Sequence, residues 1–237
     1  QNLYIDHVRG VYNVFRRVAA NYPNLPIMLC SGGGARCDYE ALKYFTEFWC
    51  SDDTAPVERL YIQWGFSQFF PTKTMCAHVT SWNKQTSIKF RTDVAMMGKL
   101  GFDIGLKELS ADELAYCQTA VANYNRLKPA ILEGDLFRLV SPYSGNHASV
   151  MYVDKQQKQG VVFAFDIHPR YGEKLIPVKL QGLNPDIYYE VKEINLMPGK
   201  RSTCEANGKR YSGDYLMKVG LPLFTTGQTQ SHVIELN

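Results

Sequence analysis

A chain of 237 residues, 45% hydrophobic and 21% charged, carries enough apolar material for a substantial core, which excludes a disordered polymer. Its net charge of +3 is small and its basic residues are scattered, so no Lys/Arg run offers a nucleic-acid surface; no apolar stretch approaches the roughly 20 residues of a membrane-spanning helix. Neither nucleic acid nor membrane is therefore an expected partner.

Taken in order, Val8, Val11, Tyr12, Phe15, Val18 and Ala19 recur at helical spacing, and Pro23 stops that helix. The chain begins with Gln1 rather than an initiator Met and enters the helix at once, so the true N-terminus is expected upstream. "PIMLC" (26–30) reads as a buried strand ending in "SGGGAR", and 39–48 suits a helix. "FWCS" is a short strand; Asp53 or Thr54 can cap the helix behind it, with Pro56 in its first turn. "TMCAHVT" (74–80) is a third strand, 91–98 a short helix, and "LGFDIGL" (100–106) a fourth strand. Ser110 and Glu113 form a capping box, Leu109 can staple onto Leu114, and the helix runs to about Leu127.

Strand–helix alternation with short connections is the grammar of a parallel α/β fold. After residue 130 the period falls to two. "ASVMYVD" and "VVFAFDI" flank the turn "KQQKQG"; "KLIPVKL" and "YYEVKEI" flank "GLNPD"; "ANGK" is a turn signal; "YLMKVGLPL" and "HVIEL" close the chain. The pattern implies two domains, α/β over 1–129 and an antiparallel β-sandwich of six to eight strands over 130–237.

Working residues of a parallel sheet gather where strands end. "LCSGGG" and "WCSDD" both occupy such ends and should face one cleft. "CSGGGAR" fits neither common phosphate-loop pattern, so it is either a flexible turn or a loop whose bare backbone receives a ligand, with Cys30 and Ser31 on the floor. Asp52 and Asp53 repel each other. One aspartate suffices to favour a helix N-terminus; the second, near Trp49, suits a general acid whose proton partial desolvation keeps available. Trp49 offers an apolar face to a sugar ring, Arg36 a cation for a carboxylate or hydroxyl, and His78 a lesser substrate contact beside a structural reading. The six cysteines at 30, 37, 50, 76, 117 and 204 show no C-x-x-C pair and read as buried free thiols; the five dispersed histidines predict no metal site, and no cofactor is expected.

Together, "LCSGGGARCDYEALKYFTEFWCSDDTAPVERLYIQWGFSQFFP" and "MCAHVTSWNKQTSIKFRTDVAMMGKLGFDIGL" resemble the late-barrel segment of the retaining α-galactosidases of glycoside hydrolase family 36. The resemblance covers nearly the whole chain. It implies a partial (β/α)8 TIM-type barrel followed by a C-terminal antiparallel β-sandwich domain. It makes Asp52 the acid/base of a double displacement, with Asp53 supporting the turn. It also maps galactose contacts onto Cys30, Ser31, Gly32, Gly33 and Trp49, beside Arg36 of the same motif; Ala35 departs from a common fourth glycine. The family's nucleophile, the Asp of a K-W-D motif, has no counterpart in residues 1–237. The resemblance therefore implies a fragment of an enzyme acting on melibiose- or raffinose-type α-galactoside oligosaccharides, inactive on its own, whose unpaired strand edges join another copy in a homo-oligomer. A non-catalytic sugar-binding fragment and a raffinose-synthase-like transglycosylase stay open.

Overall fold

The computed structural model describes residues 2–82 and 84–237. Four short strands, β1 (Met28–Leu29), β2 (Glu47–Trp49), β3 (Met75–Thr80) and β4 (Lys99–Asp103), form a parallel sheet in chain order. Helix α1 (Asn2–Asn21) precedes β1, α2 (Pro56–Phe66) joins β2 to β3, α3 (Ile88–Ala95) joins β3 to β4, and α4 (Ala111–Glu133) leaves the sheet. This is part of a (β/α)8 barrel.

α1 carries no buried residue. Tyr12 and Phe15 pack on Tyr44 and Phe45, the Phe15 and Phe45 rings meeting edge to face at 4.7 Å. Leu3, Tyr4, Ile5, Val8 and Val14 all stay more than half exposed, so only one side of the helix is covered. Residues 39–48 do not make the expected helix. They form a 3-10 turn, Ala41–Lys43, and then enter β2. Asp38 accepts the Ala41 amide at 2.8 Å, and the following aromatic residues, Phe45 and Phe48, are drawn into a buried cluster with Leu29 and Ala41.

Neither Asp53 nor Thr54 caps α2. The N-cap is Ala55, with Pro56 behind it, and Asp53 instead accepts the Ala55 amide at 2.8 Å in a turn ahead of the helix. α3 starts three residues before the expected 91 because the Ser87 hydroxyl accepts the Phe90 amide. The α4 capping box forms as expected. The helix passes the expected end at Leu127 and runs through Pro129, since Leu127, Ala130 and Ile131 are buried and their packing outweighs one missing donor.

Beyond α4, six antiparallel strands form one sheet: β5 (Asp135–Val140), β6 (His147–Val153), β7 (Gly160–Asp166), β8 (Tyr188–Ile194), β9 (Arg210–Ser212) and β10 (Gln230–Leu236), ordered β5-β6-β7-β10-β8-β9. The expected β6–β7 hairpin is present, Val153 opposite Gly160. Two expected strands are not. "KLIPVKL" makes only a bridge at Val178 to Leu221. "YLMKVGLPL" begins inside helix α5 (Gly213–Lys218), which the Ser212 hydroxyl caps. β5 was not anticipated.

Alternation assigns the sheet's two faces. Val161, Phe163, Phe165, Tyr152 and Val233 share one core with α3 and α4. Val162, Ala164, Val191, Ile234 and Leu236 face a second layer that includes Val178, Leu180, Leu216 and Leu221. A partial barrel followed by an antiparallel β-sandwich domain is thus the architecture, with the second layer supplied by irregular chain and α5. Asp93 of α3, fully buried, links the two parts: it accepts from Tyr116 at 3.0 Å, Asn195 at 2.9 Å and Ser231 at 2.7 Å, beside Lys89 at 2.5 Å.

Candidate active site at the strand ends

The parallel register sets the site out in rungs. Leu29 pairs with Phe48, which puts Cys30 level with Trp49, and Trp49 pairs with Cys76. β1 and β2 end near these rungs, β3 and β4 run on to Thr80 and Asp103, and the four strand ends surround a hollow of about 520 Å³, within the range of small-ligand pockets. Cys30, Trp49, Asp52, His78, Trp82 and Asp103 line it, one or two from each of the four strand ends.

Trp49 is clamped on several sides. The Arg59 guanidinium lies 5.4 Å from its ring centre, a cation–π contact. Arg59 is buried on α2 and donates to the carbonyls of Ser51 at 3.2 Å and Cys76 at 2.6 Å, so one side chain ties the ends of β2 and β3 together. The His78 imidazole packs against the indole, ring centres 4.8 Å apart and tilted by 55°. The Trp49 indole N–H donates to Oδ1 of Asp52 at 2.9 Å. Asp52 is exposed, so the partial desolvation expected from the sequence is not present among the described residues.

His78 is placed by what faces it. A Cβ on Gly101, its partner across β3 and β4, would come within 2.4 Å of the imidazole, so only glycine leaves room for the ring. Desolvation pushes His78 below its ordinary pKa; Asp103 pulls the other way, and Arg59 adds to the depression. Burial thus favours the neutral ring, which can both donate and accept a hydrogen bond.

The glycine loop works through its backbone. Gly32 (φ 57°) and Gly33 (φ 82°) adopt left-handed conformations, and the Ser31 amide donates to the Gly33 carbonyl at 2.9 Å. A Cβ on Gly33 would lie 3.0 Å from Ser51 Cα and 3.3 Å from the Asp52 nitrogen. The loop is therefore seated directly on the segment that presents Asp52. Cys30 lines the hollow; Ser31, Gly32 and Gly33 do not; Arg36 lines a separate depression against α1 with Tyr12 and Asp38. All six thiols are free, yet Cys30 is exposed and Cys37 and Cys50 are half-buried rather than buried. Burial pushes Cys50 up to about 12 and Cys37 up to about 11, which leaves them inert as nucleophiles at neutral pH.

Sequence reasoning passed over Arg59 and Asp103, and read Trp82, with Trp64, Tyr39 and Tyr61, as an aromatic near the motifs that most often belongs to the core. Arg59 carried a readable signal: it falls on the same helical stripe as the buried Pro56, Leu60 and Gln63, where a cation is unexpected. Among the described residues no group of His, Cys, Asp or Glu is arranged to hold a metal ion.

Comparison with known proteins shows the family. Residues 2–134 match the Melibiase family model, and residues 147–236 match the model of the glycosyl hydrolase family 36 C-terminal domain. The chain is 33% identical over 228 residues to the bifunctional alpha-galactosidase/sucrose kinase AgaSK of Mediterraneibacter gnavus, covering 94% of this chain and 23% of that protein. It is 33% identical over 223 residues to alpha-galactosidase 1 of Pediococcus pentosaceus, covering 92% of this chain and 29% of the relative. The solved galactosidase domain of AgaSK superposes with a TM-score of 0.88 at 32% identity, over 100% of this chain and 32% of that one. A raffinose complex of a variant of the GH36 alpha-galactosidase AgaA from Geobacillus stearothermophilus gives 0.85 at 29% identity, over 96% and 31%. The chain thus spans between a fifth and a third of the length of the relatives it matches.

Proposed function

Because this chain belongs to the melibiase family and carries a glycosyl hydrolase family 36 C-terminal domain, we propose that its strand-end hollow is the acid/base half of an α-galactosidase active site. The observation that carries the reading is the Asp52 carboxylate, bonded by the Trp49 indole in a hollow that Cys30 shares. The substrates are α-galactoside oligosaccharides of the melibiose and raffinose type. Complexes of the Geobacillus stearothermophilus enzyme with raffinose and stachyose support that class.

The chemistry is a retaining double displacement. The galactosyl ring rests against Cys30 and Trp49, with the backbone of Ser31, Gly32 and Gly33 holding the floor in place. Trp49 occupies Oδ1 of Asp52, so Oδ2 carries the proton to the glycosidic oxygen as the bond to the anomeric carbon breaks. In the second step the same oxygen takes a proton from water. Retention needs a nucleophilic carboxylate about 5–5.5 Å from Asp52. We place it outside these 237 residues, because no K-W-D motif occurs in them. The 237 residues alone then bind galactosides and do not turn them over, and their unpaired strand edges associate with a second copy. Residues 1–129 supply the site and 130–237 brace it. Arg36 serves the reading only as a structural cation beside α1.

The test uses the complete enzyme carrying this chain. Asp52→Asn should lower melibiose hydrolysis by about 10²–10⁴-fold. An aryl α-galactoside with a good leaving group should suffer less in its first step, since it needs little protonation. Equal and small losses on both substrates would remove Asp52 from the acid role.

A further inference from the structure

Trp82 lies in the same hollow as Trp49 and is 61% exposed, although its indole is fixed. Its N–H donates to Thr54 Oγ1 at 2.6 Å; Thr54 Oγ1 lies 3.0 Å from Thr80 Oγ1, and the buried Arg91 donates to the Thr80 carbonyl at 2.8 Å. A large aromatic face held by buried partners and left bare costs solvation with no return inside the fold. Its bond is to Thr54, two residues past Asp52, whereas the Trp49 indole bonds Asp52 itself.

The register gives the order along the strand direction. Trp49 ends β2 on a rung with Cys76, whereas Trp82 follows the end of β3 at Thr80, four residues past that rung. The hollow that Asp52 lines therefore has a lower tryptophan, level with Cys30, and an upper one past the strand end. A general acid must sit at the bond being broken. The ring that is cleaved rests on the lower tryptophan in the proposed function, which leaves the upper one to the leaving group.

Resting on the proposed function, we infer that Trp82 is a stacking platform for the leaving-group sugar and sets the preference for oligosaccharides over simple galactosides. The C–H face of a pyranose is electropositive and matches the negative face of an indole. The expected ligand class is a neutral hexopyranose joined to galactose, as in melibiose.

The experiment measures galactose and melibiose binding to the 237-residue chain by calorimetry or saturation-transfer NMR, for the wild type, Trp82→Ala and Trp82→Phe, with folding checked by circular dichroism. The wild type should prefer melibiose by about three- to tenfold, from an aromatic stack of roughly 0.5–1.5 kcal/mol. Trp82→Ala should erase that margin and leave galactose affinity unchanged; Trp82→Phe should keep part of it. A margin that survives Trp82→Ala, or equal loss for both sugars, overturns the platform while leaving the site reading intact. A wild type that binds neither sugar overturns the site reading itself, and the platform with it.

Discussion

The Arg59 guanidinium lies 5.4 Å from the centre of the Trp49 ring and bonds the carbonyls of Ser51 and Cys76, so a buried helix residue governs both walls of the hollow. Arg59→Met should leave both carbonyls short of a donor. At about 1–3 kcal/mol for each buried unsatisfied group, the loss of stability should be roughly 2–6 kcal/mol, read from urea midpoints. Arg59→Lys keeps the charge but cannot fork to two carbonyls, and should fall between the two. A Met variant as stable as the wild type would show that the clamp is idle.

Gly33→Ala adds a methyl where φ is 82° and where a Cβ meets Ser51 Cα at 3.0 Å. The backbone cost is about 1 kcal/mol or more, and the displaced segment is the one that carries Asp52. Galactose binding should weaken more than the change in stability alone accounts for. Gly32→Ala shares the left-handed backbone but has nothing within 4 Å of its Cβ, so it should lose stability without the extra loss of binding.

His78 is held below its ordinary pKa by burial, so the folded chain binds its proton less readily than the unfolded chain does. With an unfolded value of about 6.5, this residue costs no stability at pH 8 and an increasing amount as pH falls through that value toward the folded one. Urea midpoints between pH 8 and 5.5 should therefore decline, and His78→Gln should flatten the decline. Glu193 acts in a different window. Burial raises its carboxyl, but the bonds from His232 and Ser202 and the charges of His232 and Lys89 outweigh that and hold it low, so its contribution is lost only below about pH 4.5.

Asp93 gathers Tyr116, Asn195 and Ser231 at the seam between barrel and sheet. Asp93→Ala strands those donors and the Lys89 ammonium, at a cost of about 3–5 kcal/mol. If the seam is the coupling between the two parts, thermal unfolding of the variant should split into two transitions where the wild type shows one.

The 237-residue chain presents β1 and β4 as edges of its parallel sheet and leaves the apolar residues of α1 exposed. Unpaired edges template further pairing. Light scattering should give at least twice the 27.0 kDa chain mass, and monodisperse monomer would refute the association.

How much of this was legible in the chain can be traced residue by residue. Glycine at 32 and 33, the Trp49–Asp52 spacing and the Ser110–Glu113 box are local signals, because turn conformation, strand ends and caps depend on neighbours a few residues away. So the partial barrel, its strand-end chemistry and the alternating period of β6, β7, β8 and β10 were open to reading. The 39–48 segment, the strand expected at 215–223 and the length of α4 were misread, because burial against distant residues outweighed local propensity there. Arg59, His78 and Trp82 acquire their meaning only from rungs that set residue 49 beside residue 76 and residue 78 beside residue 101. Sequence by itself determined which groups could act; the sheet register decided which of them share one hollow, because a parallel pairing joins residues that the intervening helices keep some 25 positions apart.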